Sequence, residues 1–150
     1  MLIKLPSLLE CLYELETDVC VLTETWLKNE ISTGRILQNF EDQNGFAFIR
    51  RDRRDGRRGG EVAICYRKSE IQMSRIRLPH MKYEIVAAIG RRTGQRRKVA
   101  VIEAYLPPAM KAEQVKQCLR EINDSIVHVK QKYADPYIIV AGDFNKKMSI

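Results

Sequence analysis

The chain has 150 residues, 45% of them apolar, which is enough for one domain with a real core and too apolar for a linker or disordered segment. Its net charge of +7 is uneven, because residues 50–98 hold sixteen Lys/Arg against five Asp/Glu, a local +11, while the remainder carries −4. Such a block concentrates polyanions, of which nucleic acid is the commonest in a cell, and serves equally as a solvated surface.

Leu5, Leu8, Leu9, Leu12 and Leu15 recur at helical spacing behind Pro6 and Ser7, which predicts an N-terminal helix. Pro6 and Glu10 interrupt this opening too early for a signal-peptide core or a membrane span, so an intracellular soluble chain without a membrane partner is expected. Val19–Thr23, "VCVLT", reads as a fully buried strand because it is short, β-branched and does not alternate. "FAFIRR" and "EVAICYR" then flank "DRRDGR", whose Asp55-Gly56 step signals a hairpin. "SEIQMSRIRL", "KYEIVAAIGR" and "RKVAVIEAYL" continue an antiparallel meander, the last two joined through "RTGQ". From Lys111 to Tyr133 the positions Val115, Cys118, Leu119, Ile122, Ile126, Val129 and Tyr133 fit one face of a long helix that Asp135-Pro136 stops. "YIIVAG" reads as a second buried strand. This order suits an α/β domain of two packed sheets with helices outside. Cys11, Cys20, Cys65 and Cys118 stand singly among apolar neighbours with no CxxC pair, and read as buried, reduced thiols.

Four short stretches carry candidate chemistry. Glu24 follows "VCVLT" directly, where the end of a strand delivers a carboxylate to a sheet edge, a place that suits Mg2+ and equally a helix cap or a surface glutamate. Tyr105 ends a strand that Pro107 and Pro108 terminate, a rigid platform for a phenol that touches a phosphate, or a core tyrosine. Asp143 and Asn145 stand two apart behind Gly142, able to hold a water and a phosphate oxygen or to close an Asx-turn. "RRDRRDGRRGG" sets Arg50, Arg51, Arg53, Arg54, Arg57 and Arg58 across a turn, either a basic finger for DNA phosphates or a solvated hairpin tip. His80 and His128 have no evident role in either pattern.

Taken in order, "LTETWL", "RRGGEVAI", "YLPP" and "GDFN" resemble the endonuclease/exonuclease/phosphatase superfamily, and in particular the apurinic-type endonuclease domain of non-long-terminal-repeat retrotransposons. The resemblance runs from the first helix to "GDFN". It implies a four-layer α/β sandwich of two packed mixed sheets with outer helices, over residues 1–150. It also implies Mg2+-dependent phosphodiester hydrolysis of DNA. By the same resemblance Glu24 is the metal ligand, Tyr105 contacts the scissile phosphate, and Asp143 with Asn145 orients the attacking water. The chain departs from the pattern in lacking the family's first strand with its asparagine and everything beyond "GDFN", including the Asp-His pair. "GGE" also replaces three glycines. An incomplete copy, inactive or nearly so as a nuclease and nuclear if it derives from a retrotransposon, is therefore expected. A catalytically silent nucleic-acid-binding remnant and another phosphoesterase of the superfamily are the alternatives. The four candidate residues are expected to meet at one end of the sandwich.

Overall fold

A computed structural model describes residues 5–25, 31–51, 61–79 and 81–145. Helix α1 (Leu5–Glu14) lays Leu8, Leu9 and Leu12 on a sheet. It ends in a Schellman turn, in which Thr17 N–H donates to Leu12 C=O and Glu16 N–H to Tyr13 C=O with Glu16 at φ 47°. Leu15 falls beyond that stop and is exposed rather than part of the apolar face. Helix α2 (Ile31–Asn44) is an element that the apolar spacing did not signal, and Leu37 and Phe40 are its buried side chains among those described. Gly45, at φ 70°, turns the chain out of it into the next strand.

The first sheet contains β1 (Val19–Thr23), β2 (Phe46–Arg51) and β3 (Val62–Arg67) in the order β1-β3-β2, antiparallel throughout. The second contains β4 (Ile71–Arg75), β5 (Glu84–Arg92), β6 (Val99–Tyr105) and β7 (Tyr137–Asp143) in chain order, with β6 and β7 parallel across α3 (Ala112–Lys132). The expected meander is thus divided: β2 and β3 pair in one sheet, and the turn at Lys68–Glu70 carries the chain into the other.

Alternation along the strands makes the layers. Ala100, Ile102 and Ala104 of β6 face α3 with Cys118, Ile122 and Val129, while Val101 and Tyr105 face Val62 and Ile64 between the sheets. Leu12, Phe40, Phe46 and Cys65 pack on the outer side of the first sheet. The layers run helices, sheet, sheet, helix. Lys111 N–H donates to Gln114 Oε1 at the start of α3, whose buried stripe is Cys118, Ile122, Ser125 and Val129; Leu119, expected on that face, is half exposed.

Among the described strands, two that were read as buried are edges. β1 is half-buried along its length, and β7 leaves Tyr137, Ile139 and Val140 exposed because no described strand pairs with its outer side. Cys65 and Cys118 are buried free thiols, whereas Cys11 is exposed and Cys20 half-buried. No helix among the described residues is long and apolar enough to cross a membrane.

Glu103 stands on β6 between Val101 and Tyr105, so its side chain enters the core between the sheets. It is fully buried, and neither carboxyl oxygen has a hydrogen-bond partner; the Leu22 amide approaches without meeting hydrogen-bond geometry. Burial pushes its pKa from 4.5 up to about 9, so the folded chain holds a proton that the unfolded chain releases. Stability is accordingly full below the unfolded value and lost as pH rises toward about 9. Urea unfolding should weaken across that window with a slope approaching ~1.36 kcal/mol per pH unit for one proton. Glu103→Gln should flatten it, and parallel curves for parent and variant would refute a buried neutral acid.

Candidate active site at the joined ends of two sheets

Strand direction brings distant residues to one end of the sandwich. β6 and β7 run parallel and finish at Tyr105 and Asp143, which are register partners, while β5 begins at Glu84, opposite Tyr105 on its other side. In the first sheet β1 finishes at Thr23, opposite Val62, where β3 begins. Beyond Thr23 the ladder slips by one residue, for Thr25 N–H donates to Glu61 C=O at 3.3 Å and Glu24 is left as the extra residue of a bulge. Glu24 takes φ 50° there, and its carboxylate accepts a hydrogen bond from the Tyr105 hydroxyl across the two sheets. Of the five described non-glycine residues with positive φ, Glu24, Glu61 and Asn145 stand at this end, a concentration of backbone strain of the kind that marks functional sites.

The electrostatics follow from these positions. Burial foremost, then the hydrogen bond to Glu24 and the negative charges of Glu24, Asp143 and Glu84, push the Tyr105 phenol up to about 12. Tyr105 is therefore a proton donor across the physiological range.

Asn145 N–H donates to Asp143 Oδ1 at 3.0 Å, which closes an Asx-turn. Asn145 Nδ2 donates to Leu106 C=O at 3.2 Å, and Leu106 N–H to Asp143 C=O at 2.9 Å, so the "GDFN" turn is sewn to the end of β6. The turn and the site are one arrangement: the bonds that close the strand also fix Asp143 beside Tyr105.

Two carboxylates at this end escaped the sequence reading. Glu84 Oε2 accepts the Glu61 N–H at 2.8 Å, and Glu61 in turn accepts from Thr25. The available signals were the glutamate in "GGE" where three glycines are usual, and a glutamate opening the apolar run "EIVAAIG".

Arg50 and Arg51 are half-buried. Arg51 donates to Met81 C=O at 2.7 Å and Ile85 C=O at 3.0 Å, which makes it a tie between the sheets rather than part of an extended finger. Arg53, Arg54, Arg57 and Arg58 lie outside the described residues. A groove of about 670 Å³ flanks the tie, lined by Arg51, Arg75, Arg77, Leu78, Pro79 and Met81. His128 sits near the C-terminal end of α3, at the far end of the sandwich from Tyr105, and its Nε2 is buried without a hydrogen-bond partner; His80 lies outside the described residues.

Among the described residues no group of three or more His, Cys, Asp or Glu is placed to hold a metal ion. Mg2+ keeps several waters and takes one or two carboxylates, so the hard oxygens of an exposed Glu24, with Asp143 near, fit a largely hydrated Mg2+ and do not fit a fully protein-coordinated metal such as structural zinc.

Neither a family model nor a curated protein sequence matches the chain. Solved structures do. An endonuclease/exonuclease/phosphatase family protein from Bacteroides thetaiotaomicron matches with TM-score 0.72 at 13% identity, over 97% of this chain and 56% of its own. This chain has the endonuclease/exonuclease/phosphatase fold. ANGEL2, a 2',3'-cyclic phosphatase solved with adenosine-2',3'-vanadate, matches with TM-score 0.70 at 17% identity, over 97% of this chain and 45% of its own. D. rerio TDP2 complexed with single-strand DNA product matches with TM-score 0.60 at 19% identity, over 95% and 53%. The chain spans about half the length of the structures it matches.

Gly142 decides whether the "GDFN" turn can close on β6. It takes φ 147°, and a Cβ there would lie 1.9 Å from the Ala104 carbonyl oxygen. Gly142→Ala should lower stability by about 3 kcal/mol. Gly34→Ala, in α2 with nothing within 4 Å of the new methyl, should raise it by about 0.5–1 kcal/mol. Urea midpoints compare the two, and equal shifts would mean that β6 and β7 do not approach as described.

Proposed function

We propose that the chain carries part of a Mg2+-dependent phosphodiesterase site that acts on DNA, an endonuclease of the retrotransposon type. The observation that carries the reading is the hydrogen bond from Tyr105 to Glu24 with Asp143 and Asn145 alongside. The basic segment adds to it, since the chain leaves the described residues at Arg51 and returns at Glu61, both at this end. D. rerio TDP2, of the same fold, holds a single-strand DNA product. If the chain derives from a retrotransposon, its DNA target would place it in the nucleus.

In this reading Glu24, with Asp143 near, holds the ion, which when bound offsets charge on the phosphoryl oxygens. Tyr105, protonated at neutral pH, donates a hydrogen bond to a phosphate oxygen in place of Glu24. Asp143 accepts the proton of the attacking water, and the bonds of Asn145 to Asp143 and Leu106 keep that carboxylate in place. Among the described residues no imidazole stands at this end. A positioned acid or base of that kind contributes on the order of 10²–10⁴-fold, so turnover by the chain alone should be slow.

The same observation favours a second reading, a silent DNA-binding domain. Nicking of supercoiled plasmid with Mg2+, run beside a binding titration over a salt series, separates the two. The proposal expects binding together with faint nicking that Asp143→Ala abolishes. Binding without any nicking would select the silent domain, and hydrolysis of a phosphoinositide or cyclic phosphate but not DNA would select another phosphoesterase. In the binding arm, replacing Arg53, Arg54, Arg57 and Arg58 with alanine should reduce the log–log salt slope by about 0.9 for each phosphate that an arginine no longer neutralises. An unchanged slope would make that segment a solvated tip.

A further inference from the structure

Glu24 reaches Tyr105 because the backbone around it is held in an unfavourable shape, and the structure shows what holds it. A bulge at the end of an edge strand, with its central residue at φ 50°, has no local reason to persist. Its neighbour Thr25 is nearly fully buried at 2% exposure and is bonded to Glu61, through Thr25 N–H to Glu61 C=O at 3.3 Å and Thr25 Oγ1 to Glu61 Oε2 at 3.5 Å. Glu61 is itself at φ 69°, the second strained residue in the series. Its N–H points across the sheets to Glu84 Oε2 at 2.8 Å, a charge-assisted bond and the shortest of the three. Glu84 is the first residue of β5, directly opposite Tyr105 on β6. The strand beside the phenol thus sends out the carboxylate that fixes the backbone beside the phenol's partner.

We infer that Glu84 is a positioning residue for the Glu24–Tyr105 site: its carboxylate seats the Glu61 backbone, Glu61 seats Thr25, and Glu24 is thereby presented to Tyr105 and to the ion. The inference rests on the proposed metal-bearing role of Glu24 for its functional meaning, and on geometry alone for the seating. What the seat requires is an acceptor at that point. The side-chain carbonyl of glutamine supplies one, and alanine does not.

The test uses the 150-residue chain as it is. Amide hydrogen exchange without metal should be about tenfold faster at Glu61 and Thr25 in Glu84→Ala, the loss expected for one charge-assisted bond, while Val86, Ala88 and Ile102 in the strand interiors keep the parent's rates. Glu84→Gln should restore protection to within about threefold of the parent. Mn2+ affinity, used as a probe of the same carboxylate, should fall about tenfold in the alanine variant and recover in the glutamine variant. Unchanged exchange at Glu61 and Thr25 in Glu84→Ala would overturn the inference, as would acceleration spread evenly through β5 and β6 or an alanine variant that fails to fold, either of which makes Glu84 a general fold determinant. Local acceleration with no Mn2+ binding by any version would leave the seat in place and remove the metal role of Glu24.

Discussion

The Tyr105–Glu24 hydrogen bond is the constraint on which the functional end of this molecule depends, because it is a direct tie between the two sheets at the point where the carboxylates gather. Glu24, Glu61, Glu84 and Asp143 all stand at this end, and charges of one sign placed so near repel. A phenol that stays protonated is the group that can sit among them without adding charge, and it gives one of them a donor. The backbone amides of Glu61 and Asn145 do the same for Glu84 and Asp143. Thr25 Oγ1 donates to Glu61, so each of the four carboxylates has a hydrogen bond to offset the crowding.

The same alternation that delivers Tyr105 to the site delivers Glu103 to the core. Both face the first sheet from β6, two residues apart, one ending in a rim of acids and the other in an apolar layer without a hydrogen bond. The contrast separates polar groups that the fold uses from one that it merely accommodates by keeping it neutral. The fold itself hosts many chemistries, so the case for DNA rests on the acids, the phenol and the basic segment rather than on the architecture.

How much was legible in the sequence varied with the kind of information each element needs. α3 was read well because its periodicity is local, a stripe at helical spacing that identifies its own buried face, and β6 was read as a strand from an apolar run that the structure buries on both faces. The exposure of β1 and β7 was not read, since an unbroken apolar run looks alike on an edge and in a sheet centre, and the difference lies in which strands pair with it. α2 was missed because Leu37 and Phe40, the buried side chains among those described, stand in a stretch whose Ser32, Thr33, Gly34, Gln38 and Asn39 give no clear apolar stripe. At the candidate site, motif resemblance singled out Glu24, Tyr105, Asp143 and Asn145, which the fold brings to one end. Glu61 and Glu84 were not, because their part depends on a backbone amide 23 residues away meeting a carboxylate on the opposite sheet. Arg51 was misread for the same reason: its partners are carbonyls that the fold brings to it.

The central claim is that Glu24 and Tyr105, 81 residues apart, act as one unit that holds the two sheets together at the site. A double-mutant cycle on unfolding stability, with Tyr105→Phe, Glu24→Met and the pair, measures that unit directly, because each change removes one partner's hydrogen-bonding group and keeps its approximate shape. Truncating a hydrogen bond between a phenol and a partly exposed carboxylate predicts a coupling of about 1–2 kcal/mol between the two substitutions. Effects that add to within about 0.3–0.5 kcal/mol would contradict it, and the two residues would then share an end of the sandwich without forming a site.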